Sequence, residues 1–173
     1  MSSHFTRWLP PVDLVYFVAR FGPFCGVDWY PFNGENWYTL SYHLQHLSSI
    51  RLNGEKAFTT YQGGTTGERF VQYLKETLLP TLKPGDIVVM DNMRSHHVKA
   101  VREVLEEKGM KVLYLPPYSP DLNPIEKMWS KMKALLRRWK VRSLDLLPDA
   151  VRMALDSVSQ LDCRHWFAAS AYC

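Results

Sequence analysis

The sequence predicts an α/β domain in which short strands alternate with helices along the chain. Apolar runs rich in β-branched residues follow turn signals, and segments with apolar residues at every third or fourth position lie between them. No internal repeat or low-complexity segment interrupts this order. Strands joined by helices tend to pair in parallel, and ligands of such sheets gather at the carboxyl ends of the strands.

From residue 50 onward the boundaries of each element follow from local chemistry. Thr66 is a suitable N-cap, and the turn Pro84-Gly85 leads into the next strand. Gly109 ends a helix, and the prolines between residues 116 and 124 exclude both helix and central strand. The predicted elements are a strand over 57–61 after the Asn53-Gly54 turn, a helix from about 70 to Pro80, a strand over 87–91, a helix from 98 to Gly109, a strand over 111–115, a helix over 124–139 and a helix over 144–161.

Residues 1–49 differ in character from residues 50–173, so we divide the chain at this point. The first 50 residues carry five charged residues and 12 of the 23 aromatic ones. Only residues 14–19 suggest a short buried strand there. The segment is either an aromatic-rich strand region or foreign to the fold that follows.

Composition excludes several classes of protein. The 173 residues are 46% hydrophobic and 22% charged, which is typical of a globular domain. There is neither a membrane-spanning apolar stretch nor a signal peptide, so we expect a cytoplasmic protein with no membrane partner. Three scattered cysteines support neither a zinc site nor a disulfide framework. The loop 63–67 lacks the lysine of a nucleotide-binding P-loop.

Asp91 and Glu126 are the strongest candidates for chemistry. Asp91 ends the apolar run 87–90, whereas Glu126 lies in the first turn of the helix that follows the proline-rich loop. A strand end and a helix start can hold two carboxylates around one divalent cation, which is typical of phosphoryl transfer. Alternatively, Glu126 only complements the positive end of the helix dipole.

Seven cations and no acid occupy residues 127–142, which we call the cationic run; its members are Lys127, Lys131, Lys133, Arg137, Arg138, Lys140 and Arg142. On a helix, Glu126, Ser130, Lys133 and Arg137 share one stripe. A second stripe is apolar and is expected to be buried in the core; it consists of Ile125, Met128, Trp129, Met132, Leu136 and Trp139. The whole chain carries a formal net charge of +4, and this run favours contact with DNA phosphates, chiefly through Lys127, Lys133, Arg137 and Arg138. The alternative is a solvated helix face.

Two segments carry a resemblance to a known family. Residues 91–96 read Asp-Asn-Met-Arg-Ser-His and look like a D-N-x-x-x-H box, and residues 114–126 look like an L-P-P-Y-S-P-D-L-N-P-I-E box almost letter for letter. Both resemble the DDE transposases of the mariner superfamily, specifically the bacterial insertion-sequence branch. The resemblance implies a ribonuclease H-like mixed sheet flanked by helices, two Mg²⁺ or Mn²⁺ ions, and the cleavage and joining of DNA strands.

By this resemblance Asp91 is the second acidic ligand and Glu126 the third. The family places the first aspartate on its first strand, usually before a glutamate, and this sequence contains no Asp-Glu pair. For this first ligand, Asp13 has the better strand context and Asp28 is a second choice. The third possibility is that neither aspartate is a ligand. A frameshift or a truncation would explain the departure.

The same resemblance implies partners. Transposases generally work as multimers, so we expect a homo-oligomer, or a partner polypeptide that carries the helix-turn-helix region absent here. The alternative functions are a catalytically inactive remnant that only binds DNA or another transposase, and a metal-dependent nuclease unrelated to transposition.

Supporting roles are assigned to a few more residues. Asn92 and His96 either orient Asp91 or approach phosphate, or else they are a helix cap and a surface histidine. Asn123, with Tyr118, shapes the proline-rich loop, because asparagine before proline favours a turn. His97 is interpreted as a surface residue.

Overall fold

The computed structural model describes residues 15–21, 44–141 and 145–172. Its strands are β1 (Val15–Phe21), β2 (Leu44–Arg51), β3 (Lys56–Gln62), β4 (Ile87–Met90) and β5 (Lys111–Tyr114). Its α-helices are α1 (Gly67–Tyr73), α2 (Lys99–Glu107), α3 (Pro124–Arg138), α4 (Leu147–Asp156) and α5 (Gln160–Ala169). Within these residues, no helix is long and apolar enough to cross a membrane.

The five strands form one mixed sheet in the order β3-β2-β1-β4-β5. β1 pairs antiparallel with β2 and parallel with β4, and β4 pairs parallel with β5. The carboxyl ends of β1, β4 and β5 therefore meet at one edge of the sheet. This confirms the predicted α/β class.

Helices cover both faces of the sheet. Ile87 and Val89 of β4 pack into a core with α3, α4 and α5, whereas Val88 and Met90 pack with α1 and α2. All four residues are buried, which is why β4 reads as a continuous apolar run.

β2 was not predicted, and its burial explains why. Its described side chains are buried on both faces of the sheet, including Gln45, His46, Ser48 and Ser49. An interior strand of this kind shows no alternation of polar and apolar residues. β2 also runs across the boundary that we predicted between residues 49 and 50, and the foreign origin of residues 1–49 remains a prediction.

The predicted single helix over 144–161 is wrong. The chain leaves α4 at Ser157 and starts α5 after Ser159, whose hydroxyl accepts from the backbone N–H of Asp162 at 3.1 Å. The Asp162 carboxylate accepts in return from the Ser159 backbone N–H at 2.8 Å. This capping box starts a new helix within the apolar pattern that had suggested one continuous helix.

Two lysines fasten the turn between α4 and α5. Lys56 of β3 donates to the carbonyl oxygens of Leu155 at 3.0 Å and Val158 at 2.7 Å. Lys131 of α3 donates to the Ser157 carbonyl at 3.2 Å. The two lysines thus bind three carbonyl groups at or just beyond the end of α4, where the Leu155 carbonyl also accepts from the Val158 backbone N–H at 3.0 Å.

A buried ion pair joins β2 to the residue that precedes β4. Arg51 Nη2 lies 2.6 Å from Asp86 Oδ1, and both side chains are almost completely buried. Asp86 Oδ2 also accepts from the Lys83 backbone N–H at 2.7 Å. Arg51 reaches the partly exposed Glu55 at 3.4 Å.

Candidate active site

Asp91 extends from the carboxyl end of β4, where the sheet edge is open. Its side chain is 28% exposed, and its Oδ1 accepts from the Met93 backbone N–H at 3.3 Å. The preceding Met90 is fully buried, so the strand fixes the position of Asp91 from one side.

Glu126 is held by the first turn of α3. Pro124 and Ile125 are buried beneath it, and its backbone N–H donates to the Asn123 carbonyl at 3.1 Å. Proline is favoured in a first helical turn because it lacks the N–H that would find no partner there. The carboxylate itself is partly buried.

These two acids have 34 residues between them in sequence, yet they lie close enough for their charges to interact. The pKa of Glu126 is raised, first by burial and then by the negative charge of Asp91, while Lys133 opposes the rise. Two carboxylates that repel each other in a partly buried setting could together hold a divalent cation, which would remove that repulsion. This pair is the candidate active site.

The buried His96 side chain hydrogen-bonds to Asp91 from the interior of the protein. It is completely buried, and its Nδ1 lies 2.7 Å from Asp91 Oδ1 and 3.3 Å from the Asp91 carbonyl oxygen. Both partners are acceptors, so Nδ1 carries the proton. The imidazole ring packs at 4.1 Å from the Phe70 ring, and Nε2 has no hydrogen-bond partner among the described residues.

Asn92 and His97 contact each other next to the turn that carries His96. Asn92 Oδ1 is hydrogen-bonded to His97 Nε2, and the His97 ring stacks on Tyr114 with centroids 4.2 Å apart. Tyr114 donates in turn to the His96 carbonyl at 2.9 Å. His97 is solvent-exposed, as predicted, but it also braces the turn that carries His96.

Asn123 is buried at the start of α3. Its backbone N–H donates to the Pro120 carbonyl at 3.0 Å, which closes the loop before the helix. Its Oδ1 has no hydrogen-bond partner among the described residues, although it is buried three positions from Glu126.

The cationic run divides into two groups. Lys127 donates to Ser170 Oγ at 3.0 Å, and Lys131 bonds Asp162 Oδ2 at 2.6 Å, so these two lysines fasten α5 to α3. Lys133 lies close enough to Glu126 to affect its pKa, and Arg137 and Arg138 are exposed further along α3. Arg142 lies outside the described residues.

The apolar stripe of α3 packs as predicted except at its end. Ile125, Met128, Trp129, Met132 and Leu136 are buried. Trp139 was expected in the core but is 39% exposed, because the helix ends at Arg138 and Trp139 is its C-cap.

No acidic residue lies on β1, whose sequence is VYFVARF. Val18 pairs with Met90 in the parallel register, so Ala19 occupies the next position, beside Asp91. Asp13 and Asp28 lie outside the described residues, and the strand that starts two residues after Asp13 begins level with Ile87. Among the residues that the structure describes, no group of three or more His, Cys, Asp and Glu side chains could hold a metal ion.

The chain belongs to the DDE superfamily endonucleases, whose family model matches residues 35–147. That range contains both Asp91 and Glu126, and β1 lies ahead of it. No curated protein sequence matches the chain significantly.

The fold is similar to that of the catalytic domain of Mos1 mariner transposase, with a TM-score of 0.65 at 16% identity, covering 92% of this chain and 82% of that chain. It is also similar to Mos1 transposase in a paired-end complex with the left transposon end, with a TM-score of 0.63 at 16% identity, covering 92% of this chain and 55% of that one. A third similar structure is the Mos1 catalytic domain with raltegravir and Mg, with a TM-score of 0.61 at 15% identity, covering 92% and 83% of the two chains. The predicted ribonuclease H-like fold is thereby confirmed.

Proposed function

We propose that the chain is the catalytic domain of a transposase of the bacterial insertion-sequence branch, which cleaves DNA and joins the cut strand to a target. The observation that carries this proposal is that Asp91, directly after β4, and Glu126, in the first turn of α3, interact electrostatically, with Lys133 near Glu126. Membership of the DDE superfamily endonucleases and a fold similar to the Mos1 catalytic domain support it.

The donor set fits Mg²⁺ or Mn²⁺. Mg²⁺ is commonly held by one or two carboxylates together with water and phosphate oxygens, and Asp91 and Glu126 supply two carboxylates. A Mos1 catalytic-domain structure contains Mg and another contains Mn, which supports the use of either ion here. The described residues offer carboxylates for one ion, and a second ion would need a further acid, for which Asp13 remains our prediction.

The chemistry is an in-line displacement at phosphorus. Hydrolysis consumes one water and leaves a 3′-hydroxyl, which then exchanges one phosphodiester for another at the target. Bound metal supplies activation of the attacking oxygen and stabilisation of the leaving one. His96 orients the Asp91 carboxylate, while Lys133, Arg137 and Arg138 bind backbone phosphates, with a smaller share for Lys127 because its amine already bonds Ser170.

DNA nicking tests this proposal. Supercoiled plasmid incubated with the protein and Mn²⁺ should become open-circular, and EDTA should prevent the conversion. Transposition further requires that a pre-cut 3′ end be joined to plasmid, whereas an unrelated nuclease would nick without joining. We expect both activities to need an oligomer or a partner that recognises the element ends, by analogy with the Mos1 paired-end complex.

A second function is favoured by one observation. Because β1 carries no acid beside Asp91, the chain could be an inactive remnant that binds DNA or another transposase. Plasmid binding without nicking at any Mn²⁺ concentration would support the remnant over the enzyme.

Substituting Ala19 by aspartate should tighten Mn²⁺ binding about tenfold, because affinity rises with the number of carboxylate ligands. The parallel register ends with Val18 and Met90, so Ala19 and Asp91 each directly follow a paired residue. Calorimetric titration measures the gain, and adding Asp91→Asn should remove it. If Asp13→Asn lowers the affinity of the otherwise unchanged chain and Ala19→Asp adds nothing, Asp13 is the ligand instead.

Replacing His96 should weaken Mn²⁺ binding through Asp91. His96→Leu keeps an apolar side chain against Phe70 but removes the Nδ1 donor, so affinity should fall roughly 10- to 100-fold. His96→Asn returns an N–H close to the Nδ1 position and should recover most of the loss. Equal weakening by both variants would show that the hydrogen bond to Asp91 has no part in binding.

A further inference from the structure

Tyr118 presents its whole side chain to solvent. Its relative exposure is 102%, which exceeds that of every other large apolar or aromatic side chain identified as exposed among the described residues. Aromatic rings are usually at least partly covered, because burial of their large apolar area is favourable. Among the described residues none covers the Tyr118 ring, which leaves both of its faces available to another molecule.

The backbone at Tyr118 is held in an unfavourable conformation. Its φ is +56°, in the left-handed region that residues other than glycine, asparagine and aspartate rarely adopt. Pro117 and Pro120 flank it closely, and Ser119 Oγ donates to the Pro117 carbonyl at 3.3 Å. Such strain persists only where the surrounding chain enforces it, and it concentrates at ligand-binding sites.

The ring belongs to the edge of the sheet that carries the candidate active site. The backbone N–H of Leu115 donates to the Met90 carbonyl at 2.8 Å, so Leu115 lies level with the end of β4. Three residues span at most about 11 Å, which limits the distance between the Cα atoms of Leu115 and Tyr118. Asp91 directly follows Met90, and the same loop leads on to Glu126.

We propose that Tyr118 is a stacking platform for an unpaired nucleobase next to the scissile phosphate. This inference rests on the proposed function and adds a contact with a nucleobase to the contacts with DNA phosphates. A neutral ring offers no charge to phosphate, but its face matches the flat face of any base, and stacking of this kind tolerates sequence. Cleavage at the adjacent carboxylates creates a strand end where a base face becomes available.

The test compares two DNA probes in Ca²⁺, under which binding is measured without cleavage. One probe is a short duplex with a single-stranded 3′ overhang containing 2-aminopurine, and the other is the same duplex fully paired. Tyr118→Asn should weaken binding of the overhang probe about tenfold and abolish the quenching of 2-aminopurine fluorescence on binding. Affinity for the paired probe should not change.

Two controls separate stacking from other effects. Tyr118→Phe keeps the ring and should bind like the unmodified chain, and asparagine tolerates positive φ, so Tyr118→Asn should fold normally. Trp139→Leu removes an exposed ring about 20 Å along the helix from Glu126 and should leave the overhang affinity unchanged.

Each outcome decides the matter. Overhang binding that is unchanged in Tyr118→Asn, or equally lost in Tyr118→Phe, overturns the stacking role while leaving the proposed DNA function intact. Failure of the unmodified chain to bind either probe overturns both.

Discussion

Replacing Asp91 by asparagine, or Glu126 by glutamine, is expected to reduce Mn²⁺-dependent plasmid nicking by at least about a hundredfold. Each substitution keeps the size of the side chain and removes one of the two negative charges that interact at the candidate active site. The remaining acid alone would hold a divalent cation weakly, so both single variants should be as inactive as the double variant.

Stability measurements make this prediction specific. Asp91 raises the pKa of Glu126 by repulsion, and a like-charge pair costs folding free energy. Glu126→Gln should therefore leave the free energy of unfolding, measured in urea, equal or higher, and Asp91→Asn, which keeps an oxygen acceptor for His96 Nδ1, should leave the protein folded. Unfolded variants would give a trivial loss of nicking, whereas stable variants that still nick at the normal rate would exclude Asp91 and Glu126 as metal ligands.

Substituting Asp86 by alanine is expected to lower the free energy of unfolding by about 3–5 kcal/mol. Arg51 would keep its charge in a site where it is almost fully buried, with its 2.6 Å partner gone. The Lys83 backbone N–H would also lose its acceptor. Urea unfolding monitored by tryptophan fluorescence measures the loss.

Two matched variants test the cause. Glu55→Gln alters the partly exposed 3.4 Å contact of the same arginine and should cost at most about 1 kcal/mol. Arg51→Met combined with Asp86→Leu removes both charges and should recover most of the lost stability, because two apolar groups leave no charge unpaired. A double variant as unstable as Asp86→Ala would show that packing, and not the unpaired charge, sets the cost.

The local features of the site could be predicted from the sequence, but its tertiary contacts could not. The apolar run before Asp91, the prolines before Glu126 and the helical stripe of α3 are local patterns, so strand, loop and helix could each be predicted. The role of Lys131 could not, because its partner Asp162 becomes a neighbour only when α5 packs on α3. A run of cations shows its charge in sequence, but not which of its members are already paired.

β1 illustrates a further limit. Residues 14–19 suggested a strand, and the structure has one over Val15–Phe21. Its parallel pairing with β4 cannot be read from either segment alone, and that pairing is what sets Ala19 beside Asp91. The left-handed backbone of Tyr118 is likewise invisible in sequence, because tyrosine gives no signal for positive φ.

The lysine fastening of the α4–α5 turn has a consequence for the distance between the two acids. Lys56 of β3 and Lys131 of α3 both bind carbonyl groups of that turn. The turn therefore links α3 to the sheet and helps to set the position of α3 relative to the strands. Glu126 belongs to α3 and Asp91 directly follows β4, so contacts that hold α3 against the sheet also bear on the relative position of the two acids. Substitutions at residues 157–162 that break these lysine contacts are therefore expected to alter the packing of α3, and with it the position of Glu126, without touching the candidate active site.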